Sequence, residues 1–192
     1  HLDVHHIHKQ HLELPNIEVF SNLNTDDQVI YMYSNSKVFQ YSLKTLELAQ
    51  LQVSGIDDTI IEIVYNADTS ALLFATSHGV YEWSLVSGGE ATKKISCEQV
   101  QHVRLSDDCN FILVVTATNV QMYTPDFNIL KAFDVADVVD VEFSSNLQFV
   151  VVLTTKEMIV LSTTMSVRCR VAIDNAQCMS IRPSNEFTTV AT

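Results

Sequence analysis

Five of the seven histidines in this 192-residue chain fall within its first eleven positions: His1, His5, His6, His8 and His11. Alternate residues of an extended strand point the same way, so His6 and His8 could share a metal ion. A zinc centre also wants a third or fourth ligand and partners behind them, and none stands at a recognisable spacing. Polar histidines on an exposed terminal strand are therefore expected, and no metal or other cofactor is assigned. Three acidic pairs follow, Asp26-Asp27, Asp57-Asp58 and Asp107-Asp108. Paired carboxylates can serve as general acid and base or bind Ca²⁺. Each pair sits in a polar stretch between apolar runs, where Asp caps the turn backbone and adjacent side chains diverge. A turn role is expected for all three. Asp134, Asp137 and Asp140 form a looser acidic stretch on one connection, suited to a basic partner. The loops around Asp57, Asp58, Asp107, Asp108, Asp134 and Asp137 are thus the candidate partner contacts, with no catalytic residue assigned.

No nucleophile elbow, phosphate-binding loop, HExxH, CxxC or dinucleotide fingerprint occurs. Cys97, Cys109, Cys169 and Cys178 are separated by 12, 60 and 9 residues, which matches no zinc or redox motif. With no Asn-x-Ser/Thr acceptor and a 47% hydrophobic composition, reduced thiols in an intracellular protein are expected. The net charge is −12, and Lys93-Lys94 is the single adjacent cationic pair. Nucleic acid and anionic membranes demand clustered Lys and Arg, so neither is an expected partner. The longest apolar runs, such as residues 149–153, fall far short of the roughly 20 residues of a membrane helix.

The elements that must carry these residues repeat. "IEIVYNADTSALLFAT" begins at Ile61, "QHVRLSDDCNFILVVT" at Gln101, "VDVEFSSNLQFVVVLT" at Val139 and "QCMSIRPSNEFTTVAT" at Gln177, with a weaker copy, "EVFSNLNTDDQVIYMY", from Glu18. Each joins an alternating run to a more continuous apolar run through a turn rich in Asp, Asn and Ser. The last apolar residues before the turns are Leu23, Tyr65, Leu105, Phe143 and Ile181, spaced by 42, 40, 38 and 38. Tyr41, Trp83, Tyr123 and Leu161, in the strand that follows, give the independent series 42, 40 and 38. Within one unit, residues 60–65 and 79–85 alternate, residues 71–76 are nearly all apolar, and "ATKKIS" adds a fourth short strand. Four strands in about 40 residues, with little room for a helix, is the unit of a propeller blade.

On this repeat the whole chain resembles the WD40-type β-propellers. "EWSL" (residues 82–85) is the nearest approach to their signature, with Ser84 where the family carries Asp, and no Gly-His pair opens the blades. The family's Asp/His/Ser/Trp hydrogen-bond network is therefore carried over to no residue. The expected fold is all-β, about 4.5–5 four-stranded antiparallel blades, with repeats near 12–50, 51–90, 91–130, 131–170 and an incomplete 171–192. Membership of a larger seven- or eight-bladed ring is preferred to closure with five blades. The last strands ("ATKKIS", "NILKAFDV", "SVRCRVAI"), like "HLEL" and "LELAQLQV" earlier, are read as innermost, with only scattered acids such as Glu13, Glu47 and Asp134. The resemblance implies a non-catalytic interaction scaffold, a subunit of a larger intracellular complex, and the net charge of −12 favours partners with basic surfaces. A five-bladed enzyme or sugar-binding propeller is the alternative, and a subunit of translation or RNA-processing machinery a further one.

Overall fold

The computed structural model describes residues 17–21, 28–34, 37–181 and 187–191. The described residues form eighteen strands. The first sheet is β1 (Val19–Phe20), β2 (Val29–Ser34), β3 (Lys37–Ser42) and β4 (Glu47–Leu51). The second is β5 (Ile60–Asn66), β6 (Ala71–Thr76), β7 (Gly79–Ser84) and β8 (Thr92–Ser96). The third is β9 (Val100–Leu105), β10 (Ile112–Thr116), β11 (Asn119–Tyr123) and β12 (Ile129–Asp134). The fourth is β13 (Val138–Phe143), β14 (Phe149–Thr154), β15 (Glu157–Ser162) and β16 (Val167–Ala172). A two-stranded sheet of β17 (Cys178–Ile181) and β18 (Phe187–Ala191) follows. Every sheet is an antiparallel meander in chain order, and the molecule is a β-propeller built of these blades.

The middle strands do what their composition demands. β6, β10 and β14 carry apolar side chains on both faces and are almost wholly buried. The second and third sheets each pack one face on the blade before and the other on the blade after. Leu72, Phe74 and Trp83 meet Tyr31, Tyr33 and Val38 between the first and second blades. Leu73, Ala75 and Val80 meet Val103, Ile112 and Val114 between the second and third. Leu113, Val115 and Val120 meet Val141, Val150 and Val152 between the third and fourth. Trp83, Tyr123 and Leu161 lie buried in these layers, so three of the four repeat markers serve blade packing, and Tyr41 is half-buried.

The direction of the blades corrects one expectation. β1, β5, β9, β13 and β17 pack on one another in succession and are the innermost strands. The fourth strands lie outside: β12 and β16 are exposed at nearly every residue, and β4 at four of five. An inner strand is buried between blades, whereas an outer strand has a blade neighbour on one side and water on the other. The scattered acids Glu47 and Asp134 therefore face the periphery, and Glu13 lies outside the described residues.

The turns share a backbone rather than a sequence. The residue closing the turn after each of the first four inner strands has a left-handed φ: Gln28 (54°), Ser70 (49°), Cys109 (57°) and Leu147 (55°). The turn before each outer strand repeats this at Leu46 (60°), Gly88 (63°), Phe127 (63°) and Met165 (60°). Thr76, Thr116 and Thr154 end the second strand of their blades, and each hydroxyl bonds the backbone of the tight turn that follows.

Candidate functional site

Alternation along the inner strands sets Glu62, His102 and Asp140 at one repeat position, 40 and 38 residues apart, and Arg104 and Glu142 two residues further on. β5, β9 and β13 lie side by side, so these five side chains converge. Arg104 is the hub. Its Nη1 donates to Glu62 Oε1 at 2.8 Å, its Nη2 to Asp140 Oδ1 at 3.1 Å, and its Nε lies 3.5 Å from Glu142 Oε1. Glu62 also faces His102 Nδ1 at 3.0 Å and accepts from the Val103 backbone N–H at 2.6 Å. Asp140 Oδ2 accepts from the backbone N–H of Met179 at 3.3 Å, carrying the network to β17. One guanidinium thus ties three blades together and, through Asp140, reaches a fourth.

The same burial acts differently on each group. It pushes the Glu62 carboxyl up, but the hydrogen bond to His102 and the charge of Arg104 outweigh it and hold Glu62 below the ordinary value. Burial dominates at Glu142, whose pKa is raised despite Arg104. Burial disfavours the Arg104 cation, yet Glu62, Asp140 and Glu142 hold its pKa above the ordinary value. Three carboxylates to one guanidinium leave an acid surplus, which opens into a cavity of about 450 Å³ also lined by Phe20, Tyr65 and Asp107.

A second cluster sits at the other end of the blades. His78, in the turn between β6 and β7, has Nδ1 2.6 Å from Asp58 Oδ2, with Ser77 Oγ 3.1 Å from the same carboxylate oxygen and 2.8 Å from the same ring nitrogen. A hydrolytic triad needs the hydroxyl and the carboxylate on opposite ring nitrogens. Here both crowd Nδ1, and Nε2 looks towards Glu98 at 3.7 Å, so the trio is a loop clamp. The His78 hydrogen bond takes Asp58 from 3.8 to about 2, and Asp58 raises the His78 pKa in turn. The lowered carboxyl contributes stability above pH 3.8, lost as the pH falls through about 2. The raised imidazole contributes below pH 6.5, and that is lost as the pH rises through its folded value. His78→Ala is therefore expected to lower the melting temperature more at about pH 5.5 than at about pH 9, as paired thermal melts will measure.

The predicted contact residues divide between two faces. Asp107 and Asp108 lie in the turn after β9, at the cavity. Asp108 caps that turn through Ser106 Oγ and the Asn110 N–H, as expected of a turn aspartate, while Asp107 lines the cavity. Asp57, Asp58, Asp134 and Asp137 lie at the opposite ends of the strands, and Asp57 and Asp58 line a cleft of about 220 Å³ with Tyr33, Val38 and Ile56. The acidic stretch is not one connection: Asp134 ends β12 and Asp140 stands inside β13, leaving Asp137 alone in the loop. Glu62, Arg104 and Glu142 were missed altogether. Their signal was polar and charged residues recurring at two alternate offsets in the aligned inner strands. The N-terminal histidines and Asp26-Asp27 lie outside the described residues. Among the described residues no group of three or more His, Cys, Asp or Glu is placed to hold a metal ion. No helix there is long and apolar enough to cross a membrane. All four cysteines are free thiols, with Cys109 buried and Cys169 and Cys178 exposed.

No protein family and no curated protein matches this chain. Among solved structures it is similar to Kuenenia stuttgartiensis hydrazine synthase, at 11% sequence identity and a TM-score of 0.63, over 94% of this chain and 75% of that one. Likeness at this identity bears on the fold alone.

Proposed function

We propose that this chain is a non-catalytic interaction platform, a WD40-like subunit of a larger intracellular complex that docks partners with basic surfaces. The observation that carries the reading is the charge of one face. Its loops expose Asp57, Glu98, Asp137 and Asp174, with Asp134 at the strand end beside them, against Lys37 and Lys156. His78 holds the neighbouring Asp58 at the rim of the cleft between the first two blades, which Tyr33, Val38 and Ile56 also line. Such a face steers a cationic partner and gives the cleft an aliphatic stem to hold. Titration with a synthetic lysine- and arginine-rich peptide is expected to show salt-sensitive binding, weakened roughly tenfold by the double change Asp57→Lys and Asp137→Lys. Affinity unchanged by that double reversal would overturn the reading.

The inner-strand cluster supports a second reading, an enzyme or sugar-binding propeller. Its environment drives two carboxyls apart, Glu62 down and Glu142 up, which is how one site comes to hold both an acid and a base. Hydrolysis of a panel of glycosides, lost in both Glu62→Gln and Glu142→Gln, is the result this reading requires. On the platform reading, Glu142→Gln is expected to stabilise the fold at neutral pH. A carboxyl with a raised folded pKa costs stability once ionised, and at 38% exposure the gain is under about 1 kcal/mol. Denaturant midpoints of wild type and variant should differ at neutral pH and converge at about pH 4, where Glu142 takes up its proton.

A further inference from the structure

The four outer strands are exposed edges, but they are not defended alike. In the second, third and fourth blades the pairing of the outer strand is broken by a register shift: between Val80 and Tyr81, between Met122 and Tyr123, and between Val160 and Leu161. Each of those strands also carries cations: Lys93 and Lys94 on β8, Lys131 on β12, Arg168 and Arg170 on β16. Irregular pairing and charge are the usual devices that stop an edge from recruiting another strand. β4 has neither. Its register with β3 is unbroken from Val38↔Leu51 to Ser42↔Glu47, and its sequence, ELAQL, holds no cation. Leu48 within it is exposed at 37%, and Leu43 and Leu46 in the turn before it at 39% and 47%.

The open hydrogen-bonding groups can be assigned. Leu43 N–H donates to the Gln28 carbonyl at 2.8 Å, in step with the β2–β3 register, so Phe39 and Tyr41 bond towards β2. Val38, Gln40 and Ser42 then bond towards β4, opposite Leu51, Ala49 and Glu47. Leu48 and Gln50 are left with their N–H and C=O groups directed away from the blade. The geometry points to β4 as a strand-addition site, at which an extended segment of a partner protein, apolar at alternate positions and carrying lysine or arginine, pairs with Leu48 and Gln50 as a fifth strand. Charge selects this occupant over a second copy, because two chains of net charge −12 repel and each would bring another Glu47 to the seam. The site is separate from the acidic loop face and stands whether or not that face binds.

The test uses the whole chain and a synthetic peptide, Lys-Val-Thr-Val-Thr-Val-Lys. Amide hydrogen exchange is expected to slow at Leu48 and Gln50 when the peptide is added. Gln50→Pro removes an outward donor without touching the β3 pairing and should weaken binding at least roughly tenfold. Leu48→Lys, which gives β4 the defence the other edges have, should do the same if the proline variant fails to melt cooperatively. No slowing at these two amides, or equal affinity in the folded variants, overturns the proposal. So does a peptide-free dimer that Leu48→Lys dissolves, which would make the occupant a second copy.

Discussion

Arg104→Ala is expected to cost about 3 kcal/mol of folding stability at neutral pH, the largest loss from any single polar side chain here. The guanidinium touches Glu62, Asp140 and Glu142, whose side chains are only 21%, 14% and 38% exposed. Without it, three carboxylates face one another across the inner strands, half-desolvated and unneutralised. The loss should shrink with acid. In the wild type Glu62 sits below its ordinary 4.5, so its ionised form contributes stability that disappears as the pH falls through the folded value. In the variant the same carboxyl has lost its cation, and protonation relieves the repulsion. Denaturant midpoints at about pH 7 and pH 4 should therefore differ widely between the proteins at the first and little at the second. Arg104→Lys separates charge from geometry: a single ammonium cannot span β5 and β13 together, and a loss of about 1–2 kcal/mol is expected. An Arg104→Ala midpoint equal to wild type at neutral pH would show that the network holds no blades together.

Gly79→Ala should be about as damaging for a different reason. Gly79 opens β7 with φ +145°, a conformation that L side chains rarely adopt, and a Cβ there would stand 2.1 Å from the Ile95 carbonyl oxygen and 2.7 Å from Lys93 Cε. The lysine can swing away. The carbonyl cannot, because Gly79 is paired with Ser96, and Val80 with Ile95, along the seam of β7 and β8. Strain and clash together amount to roughly 3 kcal/mol, a drop of about 6–12 °C in melting temperature for a chain of this size. Lys37, Asn119 and Glu157 occupy the same place in the other blades. Glycine is demanded by the close approach of β8 alone, and Lys37→Ala, at an exposed side chain, serves as the tolerant control.

The repeat and its blades were legible because the middle strands must be apolar on both faces, and "ALLFAT", "ILVVT" and "FVVVLT" can be little else. Inside and outside were not. In a four-stranded meander the first and last strands both alternate, and alternation records that one face is buried without recording which edge meets the axis. Reading "ATKKIS" as innermost moved the search for channel acids to the periphery. The true inner strands had carried Glu62, Asp140 and Glu142 among β-branched residues all along. Asp140 looked like a loop acid because it stands near Asp137, yet it lies two residues inside β13. The Asp58–His78 clamp was invisible for a simpler reason: its partners are 20 residues apart on separate loops, and no local pattern joins them.

The left-handed turn positions bear on how the molecule reaches this state. Asparagine and glycine form such turns readily in an isolated hairpin, but here the positions hold Gln28, Ser70, Cys109 and Leu147, each costing about 1 kcal/mol in that conformation. Turns of this kind cannot lead. The middle strands must find their partners first and force the turns shut afterwards, so the nucleus lies in the sheet interiors and the loops close last. Glycine at Gln28 or Leu46, left-handed positions whose side chains are exposed, should then slow unfolding while leaving the folding rate nearly unchanged. The chain carries a reserve of kinetic stability that its turns have not drawn on.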